Sequence, residues 1–216
     1  QFKVEFECEF LGSVNTLINP SKLKNLVYEN PIQKNAGLDV YEAPQKDHNY
    51  LITVDVARGL GNDYSAFIVF DITNFPYKAV AKYRNNEIKP MLFPSIIDDI
   101  GKAYNKAFIL CEVNDIGDQV ASILNYDLEY DNLLMCSQRG RAGQVVGAGF
   151  SGKRSQLGVR TTQAVKKLGC SNLKTLLEDD KILIIDYDII SELTTFSQKH
   201  NSFEAEEGCN DDLAMC

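Results

Sequence analysis

Three acidic groups stand in this sequence where carboxylates could do chemistry. Asp55 lies in "LITVDVA", Glu112 in "FILCEVND", and the adjacent pair Asp211 and Asp212 in "NDDLAMC". Asp55 and Glu112 each stand near the carboxyl end of an apolar run that predicts a buried strand. A lone buried carboxylate is unfavourable, so we expect each to be paired, protonated or bound to a metal ion. The alternative is an acid that caps a turn or pairs with a base.

Carboxylates on two neighbouring strands could share a cation, because strands lie about 4.8 Å apart. Without a cation, their mutual repulsion would raise the pKa of one of them. An acid from the closing segment, on a helix packed beside the strand ends, would bring a third oxygen donor. Ligation by oxygen alone is typical of Mg²⁺ or Mn²⁺.

The adjacent acids Asp211 and Asp212 have two interpretations, helix capping and metal binding. Successive helical residues point about 100° apart, so both are not expected to face one ion. We predict that one of these acids caps or flanks the last helix and that the other binds metal, with Asp212 favoured as the ligand and Asp211 close by. The helix is expected to start at Asn210 or Asp211, and Asn210 could itself serve as its N-cap. Spacing alone leaves the choice between the two acids open.

Other polar residues fit simpler roles. Asp63 could be an auxiliary metal ligand, but we favour its interpretation as a turn acid. Asp115 and Asp118 could assist metal binding or repel DNA, but we favour a solvated loop for both. The six cysteines form no CxxC pair, and there are only two histidines, so a zinc site is not expected. Scattered single cysteines are typical of a reducing cytoplasm.

The charge distribution predicts a local site for a polyanion. Residues 132–177 contain no Asp or Glu and carry a charge of +8, so the rest of the chain, with a total of -8, carries -8 minus 8, or -16. A basic stretch on an acidic body is the pattern expected of DNA binding. The basic residues of this window are Arg139, Arg141, Lys153, Arg154, Arg160, Lys166, Lys167 and Lys174.

A partial nucleotide-binding motif lies inside this window. "GAGFSGKR", from Gly147 to Arg154, fits G-x-x-x-x-G-K, but Arg154 stands where a phosphate-binding loop needs Ser or Thr for Mg²⁺. We therefore predict no ATP site. The same glycines and bases could let backbone N–H groups approach DNA phosphates.

The order of elements predicts an α/β fold. Residues 1–44 are predicted to be an N-terminal arm, and 45–216 a domain with three antiparallel strands followed by βαβ crossovers. We expect a mixed central sheet with helices on both faces. We expect a glycine-rich loop over 139–158 and then a helix that starts at Thr161 or Thr162. A second helix is predicted to be capped by Ser171. Ile189 and Leu193 are predicted to lie on one face of a later helix.

The ordered motifs resemble a known family. "ITVDVARGLGNDYSAF", "FILCEVND" and "NDDLAMC" resemble the ribonuclease H-like nuclease domain of the large terminases of tailed bacteriophages, and "ECEFLGS" resembles the segment that joins that domain to an ATPase domain. The resemblance covers nearly the whole chain. It implies that an ATPase domain precedes this chain in the full-length protein.

The resemblance also implies an activity, which is cleavage of double-stranded DNA during genome packaging by a two-metal mechanism. Asp55 matches the first-strand acid, Glu112 the middle-strand acid, and the Asp211–Asp212 pair the last-helix acid. The cofactor would be Mg²⁺ or Mn²⁺, with two ions. The partners would be double-stranded DNA, the ATPase domain, a portal and a small terminase subunit, in the host cell cytoplasm and without a membrane. Asn210 stands where the family often has His.

Other functions remain open alternatives. The domain could mainly grip DNA in a packaging motor, with cleavage secondary. It could be an ATPase that uses residues 147–154, or a structural or protein-docking domain, as its acidic total would allow.

Overall fold

The computed structural model describes residues 15–61, 63–139, 143–147, 155–200 and 202–216. Within these ranges the helices are α1 (Pro20–Lys24), α2 (Phe93–Ala103), α3 (Gly117–Ser122), α4 (Gln163–Glu178), α5 (Tyr187–Thr195) and α6 (Asp212–Met215), and a π-helical turn (Ile123–Asp127) continues α3. The strands are β1 (Gln33–Asn35), β2 (Leu38–Val40), β3 (Tyr50–Asp55), β4 (Ser65–Asp71), β5 (Tyr77–Asn85), β6 (Phe108–Cys111), β7 (Met135–Arg139), β8 (Gly143–Gly147), β9 (Ser155–Leu157), β10 (Ile182–Leu183), β11 (Phe196–Lys199) and β12 (Ser202–Ala205).

A seven-stranded mixed sheet forms the centre of the fold. Its strand order is β1-β2-β5-β4-β3-β6, and the short β10 also pairs with β5. The strands β3, β4 and β5 run antiparallel, whereas β6 is parallel to β3 and β10 is parallel to β5. The predicted antiparallel strands followed by crossovers are therefore present.

The two faces of the sheet carry separate apolar cores. Alternate residues of β4 divide between them, because successive side chains of a strand point to opposite faces. Phe67 and Val69 pack with α2, α3 and the π-helical turn, whereas Ala66 and Ile68 pack with α1, α4, α5 and α6. The prediction of a mixed sheet with helices on both faces is confirmed.

The basic window, residues 132–177, contains more regular structure than the sequence analysis predicts. We expected a glycine-rich loop over 139–158, but β8 and β9 pair on either side of β7 in a small antiparallel sheet. That part of the prediction was wrong for 143–147 and 155–157. Strands can form there despite the glycines because β7 offers both of its edges to them.

The helix after this sheet is continuous. Thr162 caps it by accepting a hydrogen bond from the Val165 N–H (3.3 Å), as predicted. The predicted second start at Ser171 was wrong, because α4 runs through Gly169 to Glu178. A helical glycine costs about 1 kcal/mol relative to alanine, and the burial of Cys170 and Leu177 against the sheet offsets that cost. The hairpin of β11 and β12 was not predicted.

The described part of the predicted arm packs onto the domain. Strand β2 pairs with β5, so the arm extends the central sheet. Leu17, Ile18 and Leu23 lie in the core beside α4 and α5. The boundary at residue 45 stays a prediction.

Candidate metal centre

The parallel pairing of β3 and β6 places Asp55 beside Glu112. Val54 pairs with Cys111, and the Glu112 N–H donates to the Val54 carbonyl at 2.9 Å. Asp55 is the last residue of β3, and Glu112 is the first residue after β6. The two carboxyl groups therefore leave the same end of the sheet from adjacent strands.

Two glycines allow other chain segments to approach the strand end at Glu112. A Cβ at Gly117 would lie 2.0 Å from the Glu112 carbonyl oxygen, and one at Gly158 would lie 2.1 Å from the Cys111 carbonyl oxygen. Gly158 also has a φ of +76°, which L side chains rarely adopt. Any other residue at these positions would push the strand end that carries Glu112 out of place.

The Asp55 and Glu112 carboxyl groups lie near each other because they leave the ends of two paired strands. Neighbouring carboxylates repel each other when both are ionised, which favours the protonated form of one of them when no cation is bound. Burial, followed by the charge of Glu112, holds the pKa of Asp55 well above its usual range. The negative charge of Asp212 raises the pKa of Asp55 further, which shows that the last helix brings its acid close to this pair.

Asp212 is the first residue of α6, and its carboxylate is only half satisfied. Its Oδ1 accepts a hydrogen bond from the Tyr64 N–H at 3.1 Å, whereas its buried Oδ2 has no hydrogen-bond partner among the described residues. The residue is 8% exposed. Burial raises the pKa of Asp212, while the Tyr64 N–H and the Arg84 guanidinium oppose that rise. A buried acceptor without a partner is unfavourable, and a bound cation would satisfy it.

Asp211 occupies the N-cap position of α6, but its side chain makes no capping hydrogen bond. The helix begins at Asp212, later than the expected start at Asn210 or Asp211, and one acid of the pair stands at its N-cap position as predicted. The Asp211 carboxylate instead lies 3.7 Å from the Lys166 ammonium group. Asp211 thus lies next to Asp212 and is held by a base from α4.

A cavity of about 400 Å³ opens over these side chains. Five carboxylates and one guanidinium group lie on its wall, contributed by Asp55, Asp63, Asp115, Asp211, Asp212 and Arg58. Asp63 and Asp115 therefore lie beside the predicted ligands, although we had favoured them as turn and loop acids. Asp118 is exposed in the first turn of α3. Arg58 holds Asp115 through two hydrogen bonds of 2.6 and 2.7 Å.

The donor set fits a hard divalent cation. The side chains of Asp55, Glu112 and Asp212 offer only oxygen atoms, which suits Mg²⁺ or Mn²⁺ rather than softer metals. The repulsion between Asp55 and Glu112 and the unpartnered Asp212 Oδ2 are two features that a bound cation would relieve or satisfy.

A second group of carboxylates, which the sequence analysis missed, surrounds a lysine. In the described part of the chain, Asp39, Asp186 and Asp188 are the three acids whose carboxylate oxygens all lie within 4.8 Å of one another, close enough to hold a metal ion. The oxygens of Asp55, Glu112 and Asp212 do not all come that close. The buried Lys82 ammonium group lies 3.3 Å from both Asp39 and Asp186, and it donates a hydrogen bond to Asp188. This group already contains its own cation, so it is a weaker candidate for a metal site than the acids at the sheet end.

Two further side chains that the sequence analysis missed contact the last helix. The Glu192 Oε2 accepts hydrogen bonds from the N–H groups of Leu213 (2.8 Å) and Ala214 (3.0 Å). Its Oε1 lies 3.3 Å from Nη2 of Arg84. Burial raises the pKa of Glu192 to about 7, despite the opposing effect of these hydrogen bonds and of Arg84. The available signal was an acid three residues after Ile189, on the predicted apolar face of α5.

The basic window reaches the same end of the sheet. Val159 pairs with Glu112 in an isolated bridge, and the Asn114 side chain donates to the Thr161 carbonyl at 2.8 Å. Arg160, between them, is exposed. The segment that leads into α4 therefore runs directly beside the strand end that carries Glu112.

The predicted DNA-contacting residues differ in their surroundings. Lys167 is exposed on α4, whereas Lys166 is only 18% exposed and pairs with Asp211. Arg139 is the last residue of β7. The remaining predicted contacts, Arg141, Lys153 and Arg154, lie outside the described residues, as does most of the partial nucleotide-binding motif.

Within the described ranges, the helices are too short or too polar for any of them to cross a membrane.

Comparison with known proteins agrees with this architecture. The chain is similar to the large terminase nuclease of the thermophilic phage G20c, in crystal structures with bound magnesium (20% identity, TM-score 0.69) and with bound cobalt (22% identity, TM-score 0.68), each covering 94% of both chains. It is also similar to the large terminase nuclease domain of Thermus phage P74-26 (22% identity, TM-score 0.66, 93% of this chain and 91% of that one). These structures share its ribonuclease H-like fold. A family model described as the terminase RNaseH-like domain matches residues 52–214, and the chain therefore belongs to the terminase ribonuclease H-like domain family.

Proposed function

We propose that this domain is a divalent-metal-dependent endonuclease that cuts double-stranded DNA during viral genome packaging. The observation that carries the proposal is the placement of Asp55, Glu112 and Asp212 at one sheet end. Asp55 and Glu112 leave adjacent strands, and Asp212 has a buried oxygen without a hydrogen-bond partner among the described residues. The magnesium and cobalt bound in the phage G20c nuclease structures support a metal centre here.

In this proposal each acid has a distinct task. Asp55 and Glu112 would hold the metal in their ionised forms from adjacent strand ends, and Asp212 would contribute its unpartnered Oδ2. The chemistry that two bound divalent ions supply in such sites is activation of a water molecule and stabilisation of the leaving 3′ oxygen. Asp63 and Asp211 increase the negative charge of the cavity, which favours cations.

The DNA path is proposed to follow the basic window. The segment around Arg160 and the exposed face of α4 with Lys167 lie beside the Glu112 strand end. Contacts of this type position the phosphate backbone and carry no sequence information, so we expect little sequence preference. Arg139, Arg141, Lys153 and Arg154 are proposed to extend this surface.

The packaging context is also part of the proposal. In the full-length chain an ATPase domain would precede this one, and the portal and the small terminase subunit would be the protein partners, in the host cell cytoplasm. A second candidate function is DNA gripping with cleavage secondary. The basic segment around Arg160 is attached to the strand end that carries Glu112. DNA gripping would use this basic surface, and so would cleavage.

A plasmid-nicking assay with Mg²⁺ or Mn²⁺ tests the proposal. We expect the parent protein to nick or cut duplex DNA and to stop when the metal is chelated. Asp55→Asn should abolish cutting and keep DNA binding, measured by fluorescence anisotropy. Asp98→Asn is the matched control, because Asp98 is a buried acid on α2 that pairs with Lys102 instead of lining the cavity.

The outcomes separate the two functions. Full cutting by Asp55→Asn, or by the parent protein in chelator, would refute the metal centre. Tight, salt-dependent DNA binding by a parent protein that never cuts would favour gripping.

A further inference from the structure

The last helix cannot hold Asp212 in place by itself. Asp212 stands in its first turn, where the helix depends on contacts outside itself. The first N–H groups of a helix have no partners within it, and the Asp211 side chain makes no capping hydrogen bond. The position of Asp212 must therefore come from contacts with other elements.

Glu192 of α5 supplies those contacts. One carboxylate oxygen accepts hydrogen bonds from both the Leu213 and the Ala214 N–H groups, the two residues directly after Asp212. Leu213 is 1% exposed, so its side chain fixes α6 in the apolar core at the same place. These hydrogen bonds are buried or partly buried, where they compete little with water.

Arg84 connects this contact to the other side of Asp212. Its guanidinium group is paired with Glu192, and its Cζ lies 3.9 Å from the centre of the Tyr64 ring. The Tyr64 N–H in turn donates to Oδ1 of Asp212. Arg84 thus contacts both the side chain that holds the helix backbone and the residue that holds the Asp212 carboxylate.

We propose that Glu192 and Arg84 are positioning residues that keep Asp212 in the geometry needed for metal binding. The inference rests on the proposed metal centre. Neither residue lines the cavity, so both act through Asp212 rather than on the metal or the DNA. The plainer alternative is a helix cap that contributes to folding stability and leaves metal affinity unchanged.

The test is Mn²⁺ affinity, measured by isothermal titration calorimetry at a temperature where every variant is folded by circular dichroism. We expect Glu192→Ala to weaken Mn²⁺ binding by about 10- to 100-fold, as changes behind a ligand do. Glu192→Gln should lose much less, because its amide oxygen can still accept both N–H hydrogen bonds. Asp98→Ala removes a buried carboxylate of α2 and should bind Mn²⁺ like the parent protein.

Each outcome decides a separate point. If the parent protein does not bind Mn²⁺, or binds it equally well with Asp55→Asn, the proposed metal centre fails and the inference fails with it. If the parent protein binds Mn²⁺ and Asp55→Asn binds it less tightly, but Glu192→Ala binds Mn²⁺ like the parent, only the positioning role is refuted.

Equal losses of Mn²⁺ affinity in Glu192→Gln and Glu192→Ala would also refute the positioning role. Removal of the nearby negative charge would then explain the whole loss. If Glu192→Ala does not fold, Arg84→Met decides, because it removes the guanidinium group from Glu192 and Tyr64 without touching α6. It should weaken Mn²⁺ binding, and an unchanged affinity would refute the proposal.

Discussion

Replacing Glu192 with glutamine should change how the stability of the metal-free domain depends on pH. Burial raises the pKa of Glu192 from 4.5 to about 7. The folded state therefore binds this proton more tightly than the unfolded state does. The stability that the group contributes is complete below pH 4.5 and is lost as the pH rises to about 7.

The size of the effect follows from the two pKa values. A rise of about 2.5 units corresponds to roughly 3 kcal/mol, of which about 2.5 kcal/mol is lost between pH 5 and pH 8. Glutamine cannot ionise, so the Glu192→Gln protein lacks this loss. Its free energy of unfolding relative to the parent protein should therefore increase by about 2 to 3 kcal/mol over that interval.

Urea denaturation at pH 5 and pH 8, in chelator and followed by circular dichroism, measures this difference. Glu204→Gln, an exposed position on β12, tests whether removal of any carboxyl group gives the same change. A difference between Glu192→Gln and the parent protein that stays constant within about 0.5 kcal/mol would refute the reasoning, because the pKa of Glu192 would then be the same in both states.

Three further predictions concern single side chains. Asp212→Asn should lose metal-dependent cleavage, whereas Asp211→Asn should keep it and change the free energy of unfolding by at most about 1 kcal/mol, since Asp211 makes no capping hydrogen bond and only a long ion pair of 3.7 Å with Lys166; equal cleavage by both would place the third ligand elsewhere. Lys82→Met should destabilise the domain by about 3–5 kcal/mol in urea denaturation, because three neighbouring carboxylates lose their cation; a change below 1 kcal/mol would contradict this. Lys167→Ala should lower the slope of DNA affinity against salt by about 1 in anisotropy titrations, and Lys166→Ala should lower it less, because Lys166 is mostly buried; the reverse order would place the DNA elsewhere.

Residue types and short sequence patterns predict the strands at the centre of the fold well. Asp55 and Glu112 could be singled out because each is a lone acid at the end of an apolar run, whereas the sequence left it only possible that their strands are neighbours. The helix at Gln163 could be predicted because Thr162 is a favourable N-cap. These features depend on a few neighbouring residues, which is why pattern and residue type are sufficient for them.

The remaining features depend on contacts between distant parts of the chain. Glu192 meets the last helix, and Lys82 meets Asp186, only after α5 has packed against the sheet. Ser171 lies inside one helix because buried neighbours stabilise it, although its residue type favours a helix start. No local pattern contains that information.

The parallel register of β3 and β6, together with the dependence of α6 on α5, has a consequence for biosynthesis. The three proposed ligands are far apart in sequence, and the last of them is held by contacts with elements that precede it. A ribosome-bound chain that has emerged as far as β6 would contain Asp55 and Glu112 but no hydrolytic centre. DNA near the ribosome would therefore be safe from a partly synthesised chain, and cleavage would begin only after the whole domain has folded.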